Sequence, residues 1–450
     1  MKIVVLGGGT VGGSIAELLC QRRHDVTVLD SNPSRTKELD ERLDARLVTG
    51  MASQSSVLFQ AGVMDADLAL AVTGNDEVNL VAASLCKAMG ARRTLARIYA
   101  AVFRDLSTFD YQRHFEIDRL LSLEHLSAIE LARGIGQSGS AVIERLTRGG
   151  VEVRELVVSN KTASVGVPLK QLQLPRGVRI GSILRGGHLS IAGADDHLEI
   201  GDRVTLIGAS EEIVEVQESL LREAPPKQNV VIAGGGETGY HLAEILQNTG
   251  FHVVIMELDR ERCEYLAEHL LEVTIVNSDC NAREHLEEER VGSSDVFVSC
   301  TGDDEANIMA AVEAKELGAK KIMAVVGRPD YANVVGKLGI DHAVSPREVM
   351  AKQVLSYLHT GPVVSRSPLF GGGIEILELD VVEGSPATHR TLRELSLPEQ
   401  TLIAAVIREG FVHVPGADDH LRGGDTVVAL IENPFFESTV RLFSSDEQES

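Results

Sequence analysis

Two clusters of glycine, each followed by a carboxylate, are the residues of this 450-residue sequence whose spacing could do chemistry. The first is Gly7-x-Gly9-x-x-Gly12 with Asp30, and the second is Gly234-x-Gly236-x-x-Gly239 with Glu257. In such a turn the first glycine permits a tight reversal and the second lets a pyrophosphate approach bare backbone. The third lets the following helix pack closely on a sheet. That helix offers its unpaired N-terminal amides to the phosphates. A carboxylate closing the next strand can accept hydrogen bonds from both ribose hydroxyls and would repel a 2′-phosphate. The chemistry implied is binding of NAD(H), or another nucleotide with an unphosphorylated adenosine ribose, in preference to NADP(H). The alternative is a sheet of the same kind whose site has decayed.

The elements that must position these residues are legible on either side. Lys2–Leu6 is a short β-branched run, as in a buried parallel strand. After the glycines, Ile15, Leu18 and Leu19 have helical spacing, and a second strand ends at Asp30. Strand-like pieces then alternate with helical ones through Leu68–Thr73, Glu77–Met89 and Arg93–Ile98, the pattern of a doubly wound, Rossmann-like parallel sheet. The whole plan is duplicated. The shift that carries Gly7 onto Gly234 also carries Gly9 onto Gly236, Gly12 onto Gly239 and Asp30 onto Glu257. One residue later in register, AVTGNDEVN from Ala71 matches SCTGDDEAN from Ser299. Beyond the nucleotide fold, FEIDRLLSLEHLSAIELA resembles LGIDHAVSPREVMAKQVL, and two β-rich segments share ADDHL followed by Gly-Asp. The expected order is a larger unit and a smaller one, repeated, with Pro225 and Pro226 in the linker. The boundaries read as 1–117 (first nucleotide-binding unit), 118–140 (crossover helix), 141–223 (first small α+β unit) and 224–228 (linker). The second copy follows as 229–341, 342–365 and 366–450.

Within this frame Thr73-Gly74 and Thr301-Gly302 end the fourth strands, at the carboxyl edge where ligands sit. The acids after them (Asp76, Glu77; Asp304, Glu305) suit helix capping and ligand binding equally. The copies differ at two positions. Arg97, able to pair with a phosphate, corresponds to Val325, and Met51 corresponds to Asp279, so their ligand preferences should differ.

Composition narrows the function further. Lys and Arg total 43 against 66 Asp and Glu, a net charge of −23 that argues against a nucleic-acid partner. There is no apolar run long enough to span a membrane and no signal-peptide plan at the start. Five cysteines without C-x-x-C spacing read as the reduced thiols of a cytoplasmic protein, with no metal site. Phosphate-loop, metalloprotease and nucleophile-elbow motifs are absent, as is a Tyr-x-x-x-Lys pair. No catalytic residue is therefore expected, and a binding protein is favoured over an enzyme. The alternative is an NAD-dependent oxidoreductase of unknown substrate; a duplicated DNA-binding redox sensor is weaker. The ADDHL segments (Asp195, Asp196, His197; His420) read as polar hairpin turns more readily than as cation sites.

The paired fingerprints, the acid after the second strand, the T-G-[ND]-D-E-x-N runs and the repeated order resemble the two-repeat RCK (regulator of potassium conductance, KTN) family, from Met1 to about Leu442. The resemblance implies two Rossmann-like sheets, each followed by a small RCK C-terminal domain. It implies a cytoplasmic regulatory subunit, peripheral on the inner face of the cell membrane, in a homo-oligomeric ring expected to be a tetramer. That ring would serve a membrane potassium-translocating subunit of the TrkH/TrkG kind, with NAD(H), and ATP or ADP at the second site, as ligands. Carried over, first-site contacts would be Gly7, Gly8, Gly9, Thr10, Val11, Gly12, Asp30, Met51, Thr73, Gly74 and Arg97. Second-site contacts would be Gly234, Gly235, Gly236, Glu237, Thr238, Gly239, Glu257, Asp279, Thr301 and Gly302. The family commonly has an acid where Met51 stands. Arg119–Arg133 and 343–358, whose apolar residues have helical spacing (Leu120, Leu123, Ile129; Val344, Val349, Val354), would be helices that cross between neighbouring nucleotide units; from the spacing alone, intramolecular core helices fit equally.

Overall fold

The computed structural model describes the chain except residues 105–108, 136–139, 147–150, 159–163, 173, 176, 210–211, 214, 217–226, 248–250, 329–330, 358–361, 370–372, 409–410 and 445–450. The expected linker prolines, Pro225 and Pro226, fall outside the described residues. The chain divides into two compact units. One comprises Met1–Leu131, Val230–Glu244 and Val253–Leu358, and the other Ala132–Asn229, Ile245–His252 and His359–Ser450.

The first unit holds two six-stranded parallel sheets. One is built from β1 (Lys2–Leu6), β2 (Asp25–Asp30), β3 (Arg46–Thr49), β4 (Leu68–Ala71), β5 (Arg93–Arg97) and β6 (Arg119–Leu121), in the order β3-β2-β1-β4-β5-β6. Its outward pleats feed two cores. Ile3, Val5, Val26 and Val28 face the helix Thr10–Gln21, while Val4, Leu6, Ala69 and Ala71 face the helix Asp76–Met89. Burial on both faces is why these strands read as unbroken apolar runs. The chain order reverses at β1, which places the β1 and β4 carboxyl ends at the topological switch point. The second sheet repeats this order with strands Gln228–Ala233, Phe251–Glu257, Val273–Asn277, Val296–Ser299, Lys321–Val325 and His342–Val344.

The sixth strands correct one expectation. Arg119–Leu121 is a strand paired in parallel with β5, and His342–Val344 pairs with Lys321–Val325, so the crossover helices begin only at Leu123 and Pro346. The three-residue interval from Leu120 to Leu123 mimics helical spacing across the strand end. Ser122 marks the true start, because its hydroxyl accepts from the His125 amide at 3.1 Å. The sheets also extend past the boundaries 117 and 341 read from the sequence.

Each crossover helix packs on the other repeat. Met350, Ala351, Val354 and Tyr357 of the second repeat share a core with Ile15 and Leu19 of the first, and Arg93 donates to the Tyr357 carbonyl at 2.8 Å. In the reciprocal contact His125 lies edge-on to His241, with ring centroids 5.0 Å apart.

The second unit holds two five-stranded antiparallel sheets. One has the strands Ser140–Leu146, Val151–Val157, Val178–Arg185, His188–Ile191 and Arg203–Ala209. The other has Val363–Pro368, Ile374–Asp380, Thr401–Arg408, Phe411–His413 and Thr426–Glu432, in the same relative order. Val151, Val153 and Ile207 of one pack against Ile376, Ala405 and Leu430 of the other. The ADDHL segments are polar turns closed by their own aspartates: Asp196 accepts from the Gly193 amide and Asp419 from the Gly416 amide, each three residues earlier and at 2.7 Å. Among the described residues no group of His, Cys, Asp and Glu is placed to hold a metal, and no helix is long and apolar enough to cross a membrane.

Candidate functional site

The first glycine turn shows a separate steric reason for each glycine. Gly7 has φ +107°, and a Cβ there would lie 2.9 Å from the Thr73 backbone. A Cβ on Gly12 would meet the Gly7 carbonyl oxygen, so the helix can sit on the turn only without one. At Gly9 a Cβ would meet nothing within 4 Å, so this residue faces open space. Gly9 is also the N-cap of Thr10–Gln21 and supplies no side-chain cap, which leaves first-turn amides available to an anion. The second turn repeats the pattern: Gly234 has φ +108°, a Cβ on Gly239 would strike the Gly234 carbonyl, and Gly236 faces open space.

Both acids are held by backbone. Asp30 accepts from the Gly8 amide at 2.7 Å with one oxygen and from the Asn32 amide at 2.8 Å with the other. Glu257 makes the same pair with Gly235 (2.7 Å) and Asp259 (2.8 Å). Each carboxylate oxygen keeps a further acceptor site, oriented without needing the ligand. The ends of β4 and β5 are joined by Asn79, which is fully buried. Its Oδ1 accepts from the Thr73 amide (2.8 Å) and hydroxyl (2.7 Å), and its Nδ2 donates to the Thr73 and Arg97 carbonyls (3.1 and 2.9 Å). Asn307 does the same for Thr301 and Val325. Asp76 accepts from the Tyr99 and Ala100 amides, and Asp304 from those of Gly327 and Arg328, so these acids tether the loop after the fifth strand.

A cavity of about 460 Å³ opens over the first turn. Of the expected residues, Gly7, Gly9, Thr10, Val11, Asp30, Met51, Thr73, Gly74 and Arg97 line it, together with Ser31 and Ala52. Gly8 and Gly12 lie behind the wall as the Asp30 donor and the helix contact. Arg97 approaches Glu124 at 3.3 Å and keeps part of its guanidinium exposed in the wall. A guanidinium there can pair with a phosphate oxygen.

Over the second turn a cavity of about 420 Å³ is lined by Gly234, Gly236, Glu257, Asp279, Thr301 and Gly302, with Leu258, Cys280 and Cys300. Both volumes fall in the ordinary range for small-molecule sites, roughly 300–1,000 Å³. Glu237 and Thr238 are absent from this wall, as are Gly235 and Gly239. Glu237 turns aside to Arg262, 3.0 Å away. Burial pushes the Cys280 thiol up to about 11 and the Cys300 thiol up to about 12, so both remain protonated and poor nucleophiles. All five cysteines are free thiols.

Sequence reasoning missed two pairs that build these sites. Arg35 donates from Nε to the Gly8 carbonyl at 2.7 Å, and Arg262 does the same to Gly235 at 2.7 Å. The shift relating Gly7 to Gly234 also relates these arginines, which is the signal that could have found them. The Asn79 and Asn307 clamps sit inside the T-G-[ND]-D-E-x-N runs, where the acids are the more conspicuous candidates.

Comparison with known proteins agrees with this architecture. The TrkA-N domain matches residues 3–108 and 230–346, and the TrkA-C domain matches 153–221 and 376–441. The Trk system potassium uptake protein TrkA of Haemophilus influenzae is 34% identical over 441 residues, covering 96% of each chain. Among solved structures, the GsuK channel bound to NAD has a TM-score of 0.59 at 17% identity, covering 98% of this chain and 78% of that one. GsuK bound to ADP has a TM-score of 0.51 at 14% identity, covering 79% and 68%. Both domain types, each matched twice in alternation along nearly the full length, make this chain a member of the two-repeat TrkA family of RCK proteins.

Proposed function

We propose that this chain is the cytoplasmic, nucleotide-sensing regulatory subunit of a Trk-type potassium uptake system. It works as a homo-oligomeric ring that couples ligand state to a membrane potassium-translocating subunit of the TrkH/TrkG kind. NAD(H) is the ligand of the first site, and ADP or ATP the candidate for the second. The observation that carries the reading is the first cavity: an open Gly9 turn, a backbone-held Asp30 carboxylate and a half-buried Arg97 guanidinium share one wall. Amides at the start of the helix Thr10–Gln21 would receive the diphosphate, Asp30 the adenosine ribose, and Arg97 charge at the far side. Among the described residues, the lining of the first cavity holds no His, Lys, Tyr or Cys. Family membership and the potassium-uptake role named for the TrkA relatives support the transport context. The GsuK channel, alike in fold and bound to NAD, supports the ligand class.

Regulation would follow from linkage. A nucleotide biases a gate only by as much as its affinity differs between two shapes of the ring, typically about 1–3 kcal/mol. Thermal-shift profiles with NADH, NAD, ADP and ATP test the ligand reading, and reconstitution with the membrane subunit tests the coupling. NADH stabilising the chain, and losing that effect in Gly9→Val, is the expected result. Steady NADH oxidation dependent on Asp30 would overturn the reading in favour of an enzyme.

A further inference from the structure

Where the helix starting at the second glycine turn, Glu237–Leu246, meets the first repeat, a cluster of polar side chains gathers at its first turns. His241 is 4% exposed; its Nε2 lies 2.6 Å from an Arg104 amino group and its Nδ1 lies 3.3 Å from a Glu244 oxygen. A guanidinium only donates, so Nε2 must accept, and the ring is neutral with its proton on Nδ1 toward Glu244. One turn earlier, Glu237 accepts from Arg262 at 3.0 Å, and Arg262 in turn donates to the Gly235 carbonyl at 2.7 Å. The other Glu237 oxygen is buried without a hydrogen-bond partner, 3.8 Å from His241 Nε2. Around this cluster stand His125 and Tyr240, ring against ring with His241, and Glu124 and Asp76 within electrostatic reach of Arg104. The first repeat has Thr10 and Ser14 in place of Glu237 and His241, and its Arg35 pairs with Glu38.

We propose that Arg104, from the first repeat, is a positioning residue for the second nucleotide site. By donating to Nε2 of His241 it keeps that ring off Glu237 and leaves Glu237 to clamp Arg262 on the Gly235 carbonyl, and so fixes the turn that receives the phosphates. The inference rests on the reading that the second site takes an adenine nucleotide. Without that donor the imidazole is free to present an N–H to the unpartnered Glu237 oxygen, 3.8 Å from Nε2. Glu237 would then be drawn off Arg262, so second-site affinity should fall when the Arg104 guanidinium is removed.

The test is calorimetric titration of ADP into the full chain carrying Gly9→Val. Arg104→Gln should weaken ADP about five- to tenfold, and Arg104→Lys, which keeps a donor, less. Glu237→Gln, which breaks the clamp directly, should weaken it about as much as Arg104→Gln, with the double variant no weaker than either single one. Unchanged ADP affinity in Arg104→Gln would overturn the proposal. So would unchanged affinity in Glu237→Gln, a variant that leaves Arg104 in place should its substitution disturb folding. If ADP gives no heat with Arg104 intact, or heat that survives Gly236→Val, the second-site reading itself falls and takes this inference with it. That failure is visible before any Arg104 variant is made.

Discussion

The two glycine sites are built on one scaffold and finished with different walls. Asn79 and Asn307 tie equivalent strand ends with nearly identical hydrogen bonds, and Arg35 and Arg262 hold equivalent carbonyls. Asp30 and Glu257 accept from equivalent amides although one side chain is a methylene longer. Where the cavity wall begins, the likeness stops. Ser31, Met51 and Ala52 of the first wall correspond to Leu258, Asp279 and Cys280 of the second, whereas Arg97 of the first wall corresponds to Val325, which does not line the second cavity. Groups that satisfy buried backbone have few substitutes, since an unmet buried amide or carbonyl is costly. Wall residues answer only to the ligand, so duplication lets them diverge.

The comparison breaks first if the glycines are not separable into fold and ligand roles. Gly12→Val should cost at least about 4 kcal/mol, because its Cβ would overlap the Gly7 carbonyl, whereas Gly9→Val should leave the melting temperature within a few degrees. Both are read by thermal unfolding, and an equal loss in the two variants would refute the assignment. Next, Asn79→Ala and Asn307→Ala should each lower stability by about 3 kcal/mol, in step with each other, by denaturant titration. Unequal losses would mean that the scaffolds differ after all.

Smaller effects test the walls. Asp30→Ala should weaken NADH by roughly ten- to a hundredfold, the worth of a hydrogen-bonded charge, in a fluorescence titration. Arg97→Val, which makes the first wall resemble the second, should cost about tenfold for NADH and less for adenosine, which lacks the phosphate. Equal losses for both ligands would show that Arg97 acts through packing and not through charge.

Much of this was legible in the residues. The glycine spacing, the acid at the strand tip and the internal repeat gave the sheets, because each reflects a local steric or pairing demand. The sixth strands were not, since three residues such as Arg119–Leu121 carry no period that separates strand from helix. Nor was the placement of Glu237. At the first helical position it reads as a phosphate-side residue, but Arg262 draws it sideways, and that pairing lies between residues 25 apart. The exchange of crossover helices between the repeats of one chain likewise depends on which apolar stripe finds which groove, and spacing alone does not encode that.

Isothermal titration of NADH into the full chain, alongside Gly9→Val and Gly236→Val, addresses the central claim most directly. The account predicts that the principal NADH binding event disappears in Gly9→Val while persisting in Gly236→Val, with both variants folded. NADH binding of undiminished strength in Gly9→Val would contradict it.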